Sequence, residues 1–304
     1  MKETPIRNCS FRCQLMTGLR IYLATGAAVY LMVWSQEAFA KAPLGKNWPS
    51  SQLVSMDQID HAPFDVLLKK YVDADGYVNY KAWKRSSADR RALQSYLRKL
   101  GRASTKTRSS REAQIAFWIN AYNAVTLEGI LQVYPTSSIR NHTARLIGYN
   151  IWTELPLRVG GKTYSLEDME HKILRKKREP RVHFAIVCAS VGCPRLKNEA
   201  YTPEKLEQQL RENTLDFFSR SQNLRVDSGS RTIYFSAILK WFSDDFGNSQ
   251  AERLGYLKPY LPAAAQRLAG NSRTRVKYLD YNWNLNDQLK KPRIASRRET
   301  LIEL

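Results

Sequence analysis

Residues 111–134 constrain the fold more than any other stretch, because they read as one long helix with almost no polar face. Ile115, Phe117, Trp118, Ile119, Tyr122, Val125, Leu127, Ile130, Leu131 and Val133 are spread right around a 3.6-residue period. A helix apolar on every side has to be buried on most sides. Ser109 or Ser110 is placed to cap it, with Glu112 available for a capping box, and Pro135 stops it. The rest of the chain must therefore supply a shell around this rod. Asn120 and Asn123, three residues apart, share a face of it. Buried amides need partners. They either tie down a neighbouring segment or line a polar site.

The shell is mixed. Ser87–Leu100 repeats Leu93, Tyr96, Leu97 and Leu100 at helical spacing. Residues 71–80 read as two short strands joined at an Asp-Gly turn. The Asp73-x-Asp75-Gly76 run is no calcium loop, since its glycine comes too early and Lys84 stands where Glu is needed. Gly160-Gly161 marks a hairpin, and Ser165 with Glu167 and Asp168 marks a helix start running to about Arg175. The basic run Arg175–Arg178 follows, either a solvated loop or an anion contact. Val182–Ala189 is nearly all apolar and predicts a strand covered on both faces. Pro203 after Thr202 opens another helix; Asn223 to Ala237 holds two short strands, and Val276 to Trp283 a last one. The expected class is α+β, a buried central helix packed on a small, mostly antiparallel sheet in one main domain. That domain runs over 109–288, after a helical and hairpin extension at 41–108 and before a basic tail at 289–304.

The first forty residues read as an address. Lys2, Arg7, Arg12 and Arg20 precede the uncharged run Ile21–Trp34, and Ala38-Phe39-Ala40 has the small-x-small form of a signal-peptidase site. The reading is an exported protein, in the periplasm of a bacterium; the alternative is an uncleaved N-terminal anchor. Lys and Arg total 48 against 28 Asp and Glu, a net charge of +20. Cleavage after Ala40 removes four basic and two acidic residues and leaves about +18. Such an excess attracts polyanions. Outside the cytosol these are an anionic envelope polymer or membrane surface, so nucleic acid is not expected. Four cysteines are too few for a disulfide scaffold, and Cys9 and Cys13 would leave with the leader.

Several stretches converge on one family. They are Phe117–Ala124, Tyr164–His171 with Leu174-Arg175, Pro180–Ser190 with Gly192-Cys193-Pro194, Asn198–Tyr201, Phe242–Phe246 and Tyr281–Asn286. Together they closely resemble the domain-of-unknown-function family 547 of bacteria and plants, over about 111–286, with Asn282 where that family usually has Asp. The resemblance implies a fold and leaves the activity open.

The residues permit three kinds of chemistry. In the first, Cys193 is a nucleophile whose thiol is acidified by a helix beginning at Pro194, with His171 as base, His183 as second choice, and Asn120 or Asn123 as the orienting amide. Glu170 is a further titratable candidate. This would make a cysteine-dependent hydrolase or transferase acting on peptide or amide bonds, although no local cysteine-protease signature is present. In the second, Cys188 and Cys193 form a disulfide that staples the loop. In the third, Cys188, Cys193, His171 and His183 hold zinc, but their spacing is not that of a zinc knuckle. No dinucleotide fingerprint, phosphate loop or Gly-x-Ser-x-Gly elbow occurs, so no cofactor is expected. The function expected first is a binding or scaffolding role on an anionic partner; the thiol enzyme is the alternative.

Overall fold

The computed structural model describes residues 42–143 and 150–292. The leader and most of the basic tail lie outside that range. Helices α1 (Ala62–Tyr71), α2 (Tyr80–Arg85) and α3 (Ser87–Leu100) come first, then the rod α4 (Arg111–Val133). The cap of α4 is Ser110, whose hydroxyl accepts the Ala113 N–H at 3.2 Å. Every residue from Ile115 to Leu131 is buried. One of them is Glu128, which meets Arg90 of α3 at 2.9 Å. A buried carboxylate needs such a partner. Leu93, Tyr96, Leu97 and Leu100 are the buried stripe of α3, facing α1 and α4. Among the described residues no helix is long and apolar enough to cross a membrane.

The turn at Asp73 forms, its carboxylate accepting the Asp75 and Tyr77 N–H groups and Gly76 taking φ +86°, but the two strands expected around it do not: α1 and α2 take up the flanks and leave one bridge, Val72 to Val78. After the single turn α5 (Ile151–Glu154), β1 (Leu157–Val159) and β2 (Lys162–Tyr164) pair antiparallel, with Gly160 and Gly161 both at positive φ in the turn. Ser165 caps the next segment, accepting the Asp168 N–H at 3.1 Å. That segment is wound as a π-helix over Asp168–Leu174 rather than as an α-helix. Such wide turns recur at functional sites.

Helix α6 (Leu206–Ser219) leads to β3 (Leu224–Asp227) and β4 (Thr232–Phe235), an antiparallel pair. The chain then makes α7 (Ile238–Trp241), α8 (Ser243–Phe246), α9 (Gln250–Leu257) and α10 (Ala263–Ala269) before β5 (Arg275–Tyr278) joins β4 in parallel. The class is α+β with small, mostly antiparallel sheets. Helix α4 is central, but its nearest partners are α3, the π-helix and 3-10 turns. The three-stranded sheet covers a second apolar cluster that holds Phe184, Phe217, Phe218, Ile233 and Phe235.

The expected strand at 182–189 does not form. Residues Pro180–Phe184 make a 3-10 turn and the chain to Cys188 is irregular. The segment is apolar because it is enclosed on all sides, and a short apolar run cannot show whether its backbone is laddered. Its polar groups are satisfied by side-chain amides instead. Asn123 of α4 donates to Ala185 O at 3.0 Å and accepts the Val187 N–H at 2.9 Å. Asn213 of α6 donates to Phe184 O at 2.6 Å.

Candidate functional site

This pinned segment delivers a tight loop, 188–193, into the seam between the two apolar clusters. Ala189 sits at φ +58°, a conformation that costs a non-glycine residue on the order of 1 kcal/mol. The loop is docked on the chain after β5. Val191 N–H bonds Asn284 O and Gly192 N–H bonds Asn282 O, both at 2.8 Å, while Asn286 N–H bonds Ala189 O at 3.0 Å. Gly192 is required here: a Cβ would lie 2.9 Å from Asn282 N. Cys188 and Cys193 come to disulfide distance, their Cα atoms 6.4 Å apart. The Cys193 sulfur accepts the Cys188 N–H and the Tyr281 hydroxyl, each at 3.0 Å. No helix starts at Pro194, so these two donors stand where a helix dipole was expected.

Both sulfurs line a cavity of about 190 Å³. Its wall also carries His183, Glu170 and Tyr281, and at the mouth the half-exposed indole of Trp241. His183 is stacked on Phe242, with centroids 4.1 Å apart, and its Nε2 lies 2.7 Å from Asp245 Oδ2. Asp245 is gripped in turn by Arg175, at 2.6 Å and 2.9 Å. Burial alone would raise the Asp245 carboxyl; the His183 and Arg175 hydrogen bonds outweigh it and hold it well below the usual range. An ionised Asp245 only accepts, so Nε2 of His183 donates and Nδ1 keeps the free lone pair. Burial lowers the imidazole below its ordinary value, against the pull of Asp245. His183 is thereby a neutral base oriented by a carboxylate. Burial also pushes Glu170 up to about 7, against the opposing effects of Arg175 and the Tyr122 hydroxyl 3.5 Å away. One wall of the cavity thus holds sulfur, an oriented imidazole and a carboxyl that exchanges protons near neutrality.

The residues singled out in the sequence divide into two groups. Cys188, Cys193, His183 and Glu170 come together. His171, the preferred base, does not: it is exposed, its Nδ1 sits 3.1 Å from Arg175, and it is no part of the cavity wall. Asn120 and Asn123 face backbone rather than the cavity. Asn120 donates to Tyr201 O at 2.8 Å and accepts Tyr201 N–H at 2.9 Å, as Asn123 does for Ala185 and Val187. The orienting group beside the imidazole is Asp245. It and Tyr281 were not singled out, although both lie in the stretches Phe242–Phe246 and Tyr281–Asn286 that carried the resemblance. Among the described residues no group of three or more His, Cys, Asp and Glu side chains is arranged to hold a metal ion, although Cys188, Cys193 and His183 line one cavity.

Residues 106–218 match the model of a family described as protein of unknown function, DUF547. The match covers α4, the hairpin, the π-helix and the cysteine loop and ends in α6, short of Asp245 and Tyr281. No curated protein and no solved structure matches the chain.

Proposed function

We propose, for a chain that carries a DUF547 family domain over residues 106–218, that the cavity is the site of a cysteine-dependent hydrolase or transferase. The supporting observation is that Cys193 and His183 line the same cavity, with Asp245 outside that lining and bonded to the His183 ring. Reduced Cys193 is the nucleophile. Two hydrogen bonds to its sulfur favour the thiolate over the thiol. His183 Nδ1 takes the thiol proton, and Asp245 holds the ring and stabilises the imidazolium. The thiolate adds to a carbonyl carbon, the imidazolium protonates the departing amine or alcohol, and water or a second acceptor releases the acyl group from sulfur. The apolar mouth at Trp241 and Trp283 suits a substrate with a flat or apolar face beside the reacting carbonyl.

The test uses reduced full-length protein and p-nitrophenyl acetate. A burst of p-nitrophenol should accompany a mass gain of one acetyl group on Cys193. Asp245→Asn should slow the burst about 10²-fold or more, because the imidazole loses its fixed tautomer. No acyl group on Cys193, or a burst indifferent to Asp245, would contradict the proposal.

A second reading keeps the protein as an exported binder of anionic envelope polymer or membrane, and rests on the net charge of +20. Binding to vesicles of anionic lipid should then weaken steeply between 50 and 500 mM salt, on the order of a screening-length effect. Salt-independent binding would rule this out. Export itself is checked by Edman sequencing of the protein recovered from expressing cells, which should begin at Lys41.

A further inference from the structure

We propose that Cys188 and Cys193 form a reversible two-electron couple, so that the cavity alternates between a closed disulfide and an open dithiol by exchange with external thiols. The proposal rests on the thiol reading of the cavity for its consequence, and its chemistry can be read without any substrate. Four features carry it.

The crosslink spans a sequence separation of only 5. The chain entropy removed by so short a loop is about 2 kcal/mol, the low end for a disulfide. The loop is also held without it, by the backbone bonds to Asn282, Asn284 and Asn286 and by the Cys193 N–H to Ser190 O bond at 3.0 Å. A staple has little left to stabilise there. Second, the sulfurs line a cavity that opens to solvent, so an external thiol can reach them. Third, the two sulfurs are unequal. Cys188 is half-buried and its sulfur lies 3.2 Å from the Tyr281 hydroxyl, while Cys193 is only 6% exposed and accepts both that hydroxyl and the Cys188 N–H at 3.0 Å. An incoming thiolate therefore meets Cys188, and Cys193 is the sulfur whose negative charge is stabilised as it leaves. Fourth, Glu170 shares the wall and can hold the proton that the released thiolate later takes up.

The exchange balances with a dithiol as co-reactant. One thiolate of the reductant attacks Cys188 Sγ, the Cys188–Cys193 bond breaks, and its electron pair goes to Cys193 as thiolate. The second thiol of the reductant then displaces Cys188 from the mixed disulfide. The protein gains two electrons and two protons, and the reductant leaves as its cyclic disulfide. Oxidation is the reverse, with a disulfide such as oxidised glutathione as acceptor.

The experiment takes the native full chain through graded dithiothreitol at pH 7, quenches in acid, and counts N-ethylmaleimide additions by peptide mass. Both cysteines should become labelled together while the circular dichroism is unchanged. In Tyr281→Phe the midpoint should move toward the disulfide, with the equilibrium constant changing about three- to tenfold as one hydrogen bond to the thiolate is lost. In Cys193→Ser, oxidised glutathione should leave one glutathione on Cys188. Labelling that needs denaturant would overturn the proposal and make the bond a structural staple. So would two free thiols that oxidised glutathione cannot join. If Cys193→Ser does not fold, Tyr281→Phe still decides, because a midpoint unmoved by it removes the asymmetry on which the couple rests. Reversible exchange without acyl transfer from p-nitrophenyl acetate would refute the hydrolase and leave the couple standing.

Discussion

Replacing Asn123 by Ala removes the side chain that holds Ala185 and Val187, the part of the segment nearest Cys188. Two buried backbone groups lose their only recorded partner, the Ala185 carbonyl at 3.0 Å and the Val187 N–H at 2.9 Å. Asn123 itself is 3% exposed, so water cannot replace it without opening the core. Each orphaned group costs about 1–3 kcal/mol, which puts the loss near 4 kcal/mol. That is a large part of the roughly 5–15 kcal/mol that holds a domain together, yet the fold should survive it. Urea unfolding followed by circular dichroism should show a lower midpoint with an unchanged slope. Asn120→Ala is the matched control. It strips the same pair of bonds from Tyr201 and should cost a similar amount. The two variants should separate in thiol chemistry. Only Asn123→Ala loosens the residues just before Cys188, so only it should change the rate at which dithiothreitol opens the couple. A loss under about 1 kcal/mol, or equal effects of both variants on that rate, would falsify the idea that Asn123 positions the cysteine loop.

Glu170→Gln and His61→Gln should act in opposite directions on the pH dependence of stability. Glu170 binds its proton more tightly when folded, with its value moved from 4.5 to about 7, so its contribution is lost as pH rises through that window. The Gln variant should be more stable than the parent at pH 8 by on the order of 3 kcal/mol, measured as a urea midpoint. His61 is the reverse: burial lowers it from 6.5 to about 4, so stability falls as pH drops from 6.5 toward 4, and His61→Gln should flatten that fall. A Glu170→Gln midpoint that gains nothing at pH 8, or a His61→Gln curve as steep as the parent's, would show these groups to be solvated. Gly192→Ala pushes a Cβ against Asn282 N and O at 2.9 and 3.0 Å and should cost about 2–4 kcal/mol while altering thiol exchange; a variant as stable as the parent would mean the loop is free to move.

How far the sequence revealed this depended on whether a residue's role was local. Capping by Ser110, the stop at Pro135, the stripe of α3 and the glycine hairpin depend on neighbours within a turn or two, and each formed as read. The α4 rod was legible for the opposite reason, since a helix apolar all round can only be central. The cavity was legible in its cysteines and in His183, because they crowd into eleven residues. Preferring His171 to His183 follows from placing His183 inside a strand covered on both faces, and that strand does not form. The π-helix at 168–174 leaves His171 exposed beside Arg175, whereas His183 is fixed by an aspartate 62 residues further on.

The strand that does not form and the tie-down by the two asparagines have one physical cause. A strand at 182–189 would have used its own N–H and C=O groups in a ladder, and the amides inside α4 would then have been free for chemistry. The chain does the converse. An enclosed segment without a ladder must borrow donors and acceptors. Asn123 and Asn213 lend them to this segment, and Asn120 does the same for Tyr201. Polar amides in an otherwise wholly apolar helix, in a chain that also holds a long apolar run without strand alternation, are therefore the trace of a buried irregular segment. Here that segment is held by side chains rather than by a sheet, so the residues at its end can be set at an angle, as at Ala189, that a regular ladder would not supply.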